Sequence, residues 1–302
     1  MPELPEITVY VEALERFVAG EPLERVRVRS PSLVRSYDPP LSAAHGRTVT
    51  GVRRMGKRVV LCMEAEPALF LVLHLMVTGR LRWRAPGVTI PRKLGLAAFD
   101  FPEGSLLLTE AGMKKKATLH LVAGEEALAA HDRGGLEPLD ADLAAFREAI
   151  TRENRTLKRA LTDPRILSGI GNAHSDEILL EARLSPLKRS RDLGEEEIER
   201  LHEATKRSLR DWTETLRAEV GDGFPEKITA FHPDLAAHGK YGEPCPRCGS
   251  PIQRIRYADN ETNYCATCQT GGRLLADRAF SRLLREDWPR SLEELEGLLG
   301  GS

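Results

Sequence analysis

Apolar positions along the chain change their period twice. Leu4, Ile7, Val11, Leu14 and Val18 recur at helical spacing, Pro5 suits a first turn and Gly20 closes the segment, so a helix is predicted over 3–18. From about residue 24 to 122 the pattern becomes short alternating or β-rich runs: VRVRS, RTVTGVRR, RVVLCME, LFLVLHL, LAAFDF, SLLLTE and ATLHLV. Turn residues separate these runs and no long helix intervenes, which predicts an all-β domain, a sandwich or barrel. Residues 131–140, HDRGGLEPLD, read as a linker. The helical period then returns over 141–152, 154–162, 172–182 and 195–218, with a short piece near 226–231. Residues 241–270 read as a β-hairpin around paired cysteines, and Gly271-Gly272 leads into LLADRAFSRLLREDW and another short helical pattern after Pro289. The expected organisation is an α+β chain: a β-domain with its leading helix over 1–130, the linker, a helical domain over 141–240, the cysteine hairpin over 241–270 and a helical extension over 271–302.

Composition narrows the class of protein. With 302 residues, 41% of them hydrophobic, the chain is long enough for two ordinary cores and a small appendage. Five cysteines, four of them within 24 residues, do not make a secreted disulfide framework, and Cys62 in VVLCM reads as a small core residue. No run of about 18 apolar residues exists, which excludes a membrane span. The opening MPELPEITVYVEALERF carries acids where a signal peptide has a basic and then an apolar region. A cytoplasmic location is therefore expected, at the nucleoid in a prokaryotic cell.

Charge adds direction. The 44 Lys+Arg and 45 Asp+Glu nearly cancel, yet residues 80–93 carry five bases and no acid, and residues 53–58 carry four and none. Lys114, Lys115 and Lys116 form one block, whereas acids gather at Glu195–Glu199. Such asymmetry fits one face for an anionic partner. Solvated loops are the plain alternative for any single cluster.

Three motifs bear chemistry. Cys245-Pro-Arg-Cys248 is followed, after sixteen residues, by Cys265-Ala-Thr-Cys268. Two such knuckles place four thiolates around one zinc at about 2.3 Å each, leaving no exchangeable position, so one structural zinc per chain is expected. Between them, SPIQRIRY and TNY flank Asp259-Asn260 and read as two strands carrying Arg254 and Arg256. A basic zinc hairpin either touches nucleic acid or serves as a staple. The second motif is LSGIGNAHSDEIL, 167–179, in which Asn172 is expected to cap a helix carrying Asp176 and Glu177 early. Free amides at such a helix start hold a phosphate, although a plain helix–turn–helix has the same pattern. The third is the N-terminus. Removal of Met1 presents Pro2 as a secondary amine, and an α-amino group with a pKa of about 7.7–8.0 is partly unprotonated near neutrality. Such an amine attacks an aldehyde carbon to form an iminium, with Glu3 beside it to shuttle protons.

Taken together, Pro-Glu-Leu-Pro-Glu at the start, a β-domain, a GIGN helical hairpin and a four-cysteine hairpin resemble the formamidopyrimidine-DNA glycosylase/endonuclease VIII family of base-excision repair. The resemblance covers about residues 2–269, supported by Gly56-Lys57-Arg58, His74-Leu75 with Thr78-Gly79, and Gly242-Glu243-Pro244-Cys245. It implies an N-terminal β-sandwich and a helix-two-turn-helix domain bearing the zinc finger. It also implies Pro2 as the nucleophile at C1′ of the damaged nucleotide and Glu3 as the catalytic carboxylate. Lys57 becomes the lysine near the target phosphate and lesion, and Asn172 the asparagine of the helix-two-turn-helix phosphate site. The family binds kinked duplex DNA with the damaged nucleotide flipped out, at a cost of a few kcal/mol in unstacking.

Departures from the family pattern are equally specific. Asn260 stands where the finger usually carries a phosphate-gripping arginine, and a neutral amide lacks that charged fork. Arg254 or Arg256 are the candidates to replace it. The chain reads His74-Leu75-Met76-Val77 in place of His-Leu-Gly-Met. Thr109–Lys116 stands where the family has its wedge-bearing turn, leaving Met113 and the lysines for that task, and His174 replaces a tyrosine as a packing or phosphate-facing residue. The expectation is a monomeric bifunctional DNA glycosylase/AP lyase acting on damaged double-stranded DNA, with no membrane partner. Its catalytic residues are Pro2, Glu3 and Lys57, and its DNA contacts Asn172, Arg254, Arg256 and Asn260. The alternatives are a non-excising damaged-DNA-binding protein on the same scaffold and, further off, an RNA- or ribosome-associated module.

Overall fold

The computed structural model describes residues 1–257, 260–275 and 289–299. It divides into two compact units, Met1–Gly134 with Asp211–Ala230, and Gly135–Arg210 with Phe231–Ser302. The architecture is α+β, with a β-sandwich in the first unit, and helices and a four-cysteine hairpin in the second.

In the first unit, helix α1 (Leu4–Val18) begins with a proline in its first turn and buries Ile7, Tyr10, Leu14 and Val18. Gly20, with φ of +84°, ends it in a conformation that favours glycine. One antiparallel sheet runs β1 (Pro22–Leu23), β3 (Arg47–Met55), β4 (Arg58–Met63), β5 (Leu69–His74) and β9 (Thr118–Ala123). The other runs β2 (Arg25–Val28), β7 (Gly95–Phe101), β8 (Gly104–Glu110) and β6 (Gly79–Arg84). Strand alternation explains the near-continuous apolar runs. Val59, Leu61, Leu71 and Leu73 face the core shared with Leu81, Phe99 and Leu106 of the second sheet, while Val60, Phe70 and Val72 turn to Leu128 on α2 (Glu125–Ala129).

The second unit holds α3 (Leu143–Thr151), α4 (Leu157–Thr162) and α5 (Asn172–Ala182), and α6 (Glu195–Val220) starts in it. Asp142 caps α3 by accepting the Ala145 N–H at 2.8 Å. Helix α5 is buried on nearly every side, including its polar residues His174, Ser175, Asp176 and Glu177. The hairpin pairs β10 (Ile252–Tyr257) with β11 (Asn260–Cys265), followed by α7 (Ala266–Thr270) and α8 (Leu292–Leu299).

Two readings of the sequence change here. Residues 226–231 are not helical: Gly221, Gly223 and Pro225 break the path of α6. The segment instead buries Ile228 in the sandwich core, and Arg84 forks onto Glu226. Residues 211–230 thus pack with the β-rich unit. Asp259 and most of LLADRAFSRLLREDW lie outside the described residues; the helix after Pro289 is α8.

Candidate active site and nucleic-acid interface

The start of the first unit concentrates charge around an amine. Pro2 is buried, and Glu3, 2% exposed, is the N-cap of α1. Its backbone N–H donates to Glu6 Oε2 at 2.7 Å within a reciprocal capping box. Glu6, itself buried, thereby holds Glu3 in place. Burial lowers the amino group of Met1 below its ordinary value; Arg80 and Lys57 push the same way, against Glu3 and Glu6. The Met1 amino group is therefore biased toward its neutral form.

Lys57 belongs to the two-residue turn joining β3 to β4, where Gly56 takes φ of +57° and Met55 pairs with Arg58. It is half-buried. His74, at the end of β5, pairs with Arg58 across the strands and accepts the Met76 N–H on Nδ1 at 3.0 Å. Burial, reinforced by Arg58 and Lys57, pushes its pKa down to about 4, so the ring is neutral near pH 7. Met76 adopts φ of +53°, a left-handed conformation at the place where the family motif has glycine.

A second feature of this unit is the loop after β8. Glu110, 2% exposed, accepts the N–H of Lys116 on both oxygens (3.0 and 2.9 Å) and that of Ala117 at 3.2 Å. Gly112 N–H donates to Thr78 Oγ1 at 3.1 Å. The pinned loop presents Met113 fully to solvent, with Lys114 and Lys116 exposed beside it.

In the second unit Asn172 is not a cap. Gly171 occupies the N-cap, and Asn172 opens α5 with Nδ2 donating to the Glu261 carbonyl on β11 at 2.8 Å. Asp176 and Glu177 fall past the first turn and serve packing more than the helix dipole. Asp176, fully buried, accepts from Lys158 Nζ at 2.5 Å and pairs with His238 Nδ1 at 2.8 Å. Lys158 also donates to the Asn172 carbonyl at 2.6 Å. Glu177 accepts the backbone N–H groups of Ala236, Ala237 and His238 at 2.8–2.9 Å. His174 is buried as well.

The Sγ atoms of Cys245, Cys248, Cys265 and Cys268 lie within 4.8 Å of one another. Zinc–sulfur bonds of about 2.3 Å in a tetrahedron need sulfur separations near 3.8 Å, so this donor set fits zinc. On β10 and β11, Arg254 and Arg256 share a face with Asn263 and Glu261, whose carboxylate lies 3.9 Å from each guanidinium. The Arg254 guanidinium stacks 4.0 Å from the Tyr241 ring centroid. Asn260, exposed, pairs with Tyr257 and by strand alternation falls on the opposite face. The structure thus gathers Pro2, Glu3 and Lys57 at one charged centre, and Asn172, Arg254 and Arg256 around Glu261, while Asn260 stands apart. Sequence reasoning missed Glu6, Arg80, His74 and Lys158. Of these, Glu6, three residues after Glu3, has the spacing of a capping box, His74 stands in the His74-Leu75 motif and Arg80 in the basic run 80–93, and Lys158 left no signal.

Comparison with known proteins gives matches along most of the chain. Residues 1–132 match the formamidopyrimidine-DNA glycosylase N-terminal domain, 135–219 the H2TH domain of the same enzymes, and 242–271 the zinc finger found in FPG and IleRS. The chain is 32% identical over 279 residues to a formamidopyrimidine-DNA glycosylase of Heliobacterium modesticaldum, covering 89% of this chain and 100% of the relative. It is 32% identical to that of Geobacillus kaustophilus over 285 residues, with the same coverage. Among solved structures it is similar to the Lactococcus lactis Fpg in complex with N7-benzyl-Fapy-dG-containing DNA, with a TM-score of 0.79 at 25% identity over 89% of this chain and 100% of that one. The same enzyme with abasic-site DNA gives 0.77 at 25% identity over 89% and 99%. With its domain order, its buried N-terminal carboxylate and its four-cysteine finger, the chain belongs to the formamidopyrimidine-DNA glycosylase/endonuclease VIII family of DNA glycosylases in base-excision repair.

Proposed function

We propose that this protein is a bifunctional DNA glycosylase/AP lyase that excises a damaged base and then cuts the strand through a Schiff base on Pro2. The observation that carries the reading is the charged setting of the N-terminus: Glu3 locked by Glu6, with Lys57 and Arg80 acting on the amine there. Once Met1 is removed, the Pro2 nitrogen attacks C1′ as the bond from C1′ to the base breaks, and the base leaves with a proton. Glu3 protonates O4′ as the C1′–O4′ bond opens, giving an iminium between Pro2 and C1′. The cationic iminium acidifies the C2′ hydrogen; that proton departs, a C2′–C3′ double bond forms and the 3′ phosphate leaves. Lys57 neutralises phosphate charge near the lesion.

DNA grip comes from Asn172, Arg254 and Arg256, with Asn260 at the hairpin tip. Stacking on Tyr241 and the ion pair with Glu261 orient Arg254 in advance on the face it shares with Arg256, opposite Asn260. One zinc on the four cysteines stabilises the finger and takes no part in the chemistry of the sugar. The partner is damaged double-stranded DNA, and the protein acts as a monomer. Among the described residues no helix is long and apolar enough to cross a membrane.

Borohydride reduces an iminium to a stable amine, so it traps a covalent adduct on abasic duplex DNA, mapped to Pro2 by mass spectrometry. An adduct on Lys57, or none when Pro2 is free, would refute the mechanism and leave a protein that binds damage without excising it.

A further inference from the structure

The hairpin that carries Arg254 and Arg256 has two faces, and strand register assigns them. Ile252 and Cys265 share one face, and they cluster with Cys245, Cys268, Leu180 and Ala237. Ile255 and Tyr264 turn to the other, where they are buried against Leu274 and Leu275 with Leu292 and Leu295 packed alongside. The metal-binding cysteines therefore hold one side only.

The second side is fastened by directional bonds as well as by apolar contact. Tyr264 is 1% exposed, and its hydroxyl accepts the Leu275 N–H at 2.8 Å. The returning chain is tied by Leu274 N–H to the Arg290 carbonyl at 2.9 Å and by the bridge between Arg273 and Ser291. Ser291 then accepts the Glu294 N–H at 3.2 Å, and Glu294 accepts the Arg290 N–H at 2.6 Å, a local cap that sets the start of α8. Leu187 also packs against this side, and every other partner named here lies beyond residue 271, where the match to the zinc-finger family ends. A two-stranded hairpin alone is marginal in water, and small zinc modules usually unfold without metal. Here the cluster on the second side of the hairpin contains none of the four cysteines.

We infer that residues 273–275 together with 290–295 form a metal-independent brace that keeps β10 and β11 in register, and so holds Arg254 and Arg256 in place when the cysteines carry no zinc. Its functional consequence rests on the reading of those arginines as DNA contacts. The test compares the full chain, a chain ending at Gly272, and the pair Tyr264→Phe with Leu292→Ala, each with zinc and after chelation by EDTA. Amide hydrogen exchange over 252–265 reports the hairpin, and affinity for a duplex with a tetrahydrofuran abasic analogue reports its use. After chelation the full chain keeps hairpin protection within about tenfold of the zinc-loaded value, whereas the shortened chain loses more than about a hundredfold. If the shortened chain does not fold even with zinc, the Tyr264→Phe/Leu292→Ala chain, which retains the rest of the segment, must show a loss of the same sign. Equal loss of protection in the stripped full chain and the stripped variants overturns the brace. The DNA arm separates the two ideas: a protected hairpin whose affinity is unchanged by Arg254→Ala/Arg256→Ala refutes the contact reading and leaves the brace standing.

Discussion

The two units solve opposite electrostatic problems. Around the N-terminus, charges are kept close and partly desolvated, and burial lowers the pKa of the Met1 amino group beside the buried Glu3 and Glu6. Around Asn172, the buried charges Lys158, Asp176 and Glu177 satisfy one another or backbone amides. One region holds a poised imbalance and the other a closed balance. The comparison teaches where substitution should touch rate and where it should touch stability and grip.

The largest effect should come from masking the amine. Any residue added ahead of Pro2 should lower borohydride trapping and strand cleavage by at least about a thousandfold, while thermal stability stays within about 1 kcal/mol. Glu3→Gln should reduce base excision more than lyase activity on a preformed abasic site, measured by single-turnover kinetics on the two substrates. In the balanced region, Lys158→Met leaves the Asp176 carboxylate buried without its cation, and should cost about 3–5 kcal/mol in urea unfolding. Adding Asp176→Leu should recover a large part of that loss; no recovery would show that the network is not a closed balance.

An intermediate effect follows from His74. Its pKa is held down to about 4, whereas the unfolded ring titrates near 6.5, so between those values the unfolded state binds more protons. Stability should therefore be complete above about pH 6.5 and fall by about 3 kcal/mol as pH drops toward 4, with His74→Gln flattening that slope in calorimetric pH scans. The smallest effects belong to the grip. Asn172→Ala and Arg254→Ala should each raise Kd roughly tenfold on damaged and undamaged duplexes alike, and Arg254→Ala should flatten the log–log salt slope by about 0.9.

Period and spacing made much of this legible. Alternating apolar runs announced the sandwich, helical spacing announced α1, α3, α5 and α6, and the two C-x-x-C knuckles announced the finger. What stayed hidden depends on partners distant along the chain. Asp176 and Glu177 look like dipole acids until Lys158, 18 residues before Asp176, and residues 236–238, about 60 beyond, close around them. Asn172 looks like a cap because its partner is a carbonyl 89 residues away. Residues 226–231 carried enough apolar content to suggest a helix, yet Arg84 and the sandwich core claim them. Arg80 stood out only as one base of a run and His74 only as part of a motif, because the amine and the strand neighbour Arg58 that act on them are distant along the chain.

The loop after β8 has an evolutionary corollary. Glu110 holds it through the backbone amides of Lys116 and Ala117, and Thr78 holds it through the amide of Gly112, so no side chain at 113 or 114 takes part in these anchoring bonds. The tip is a replaceable cartridge. Mutation can exchange Met113 and Lys114 without disturbing the bonds that hold the loop, so the tip can vary while the sandwich beneath remains under its own, separate selection.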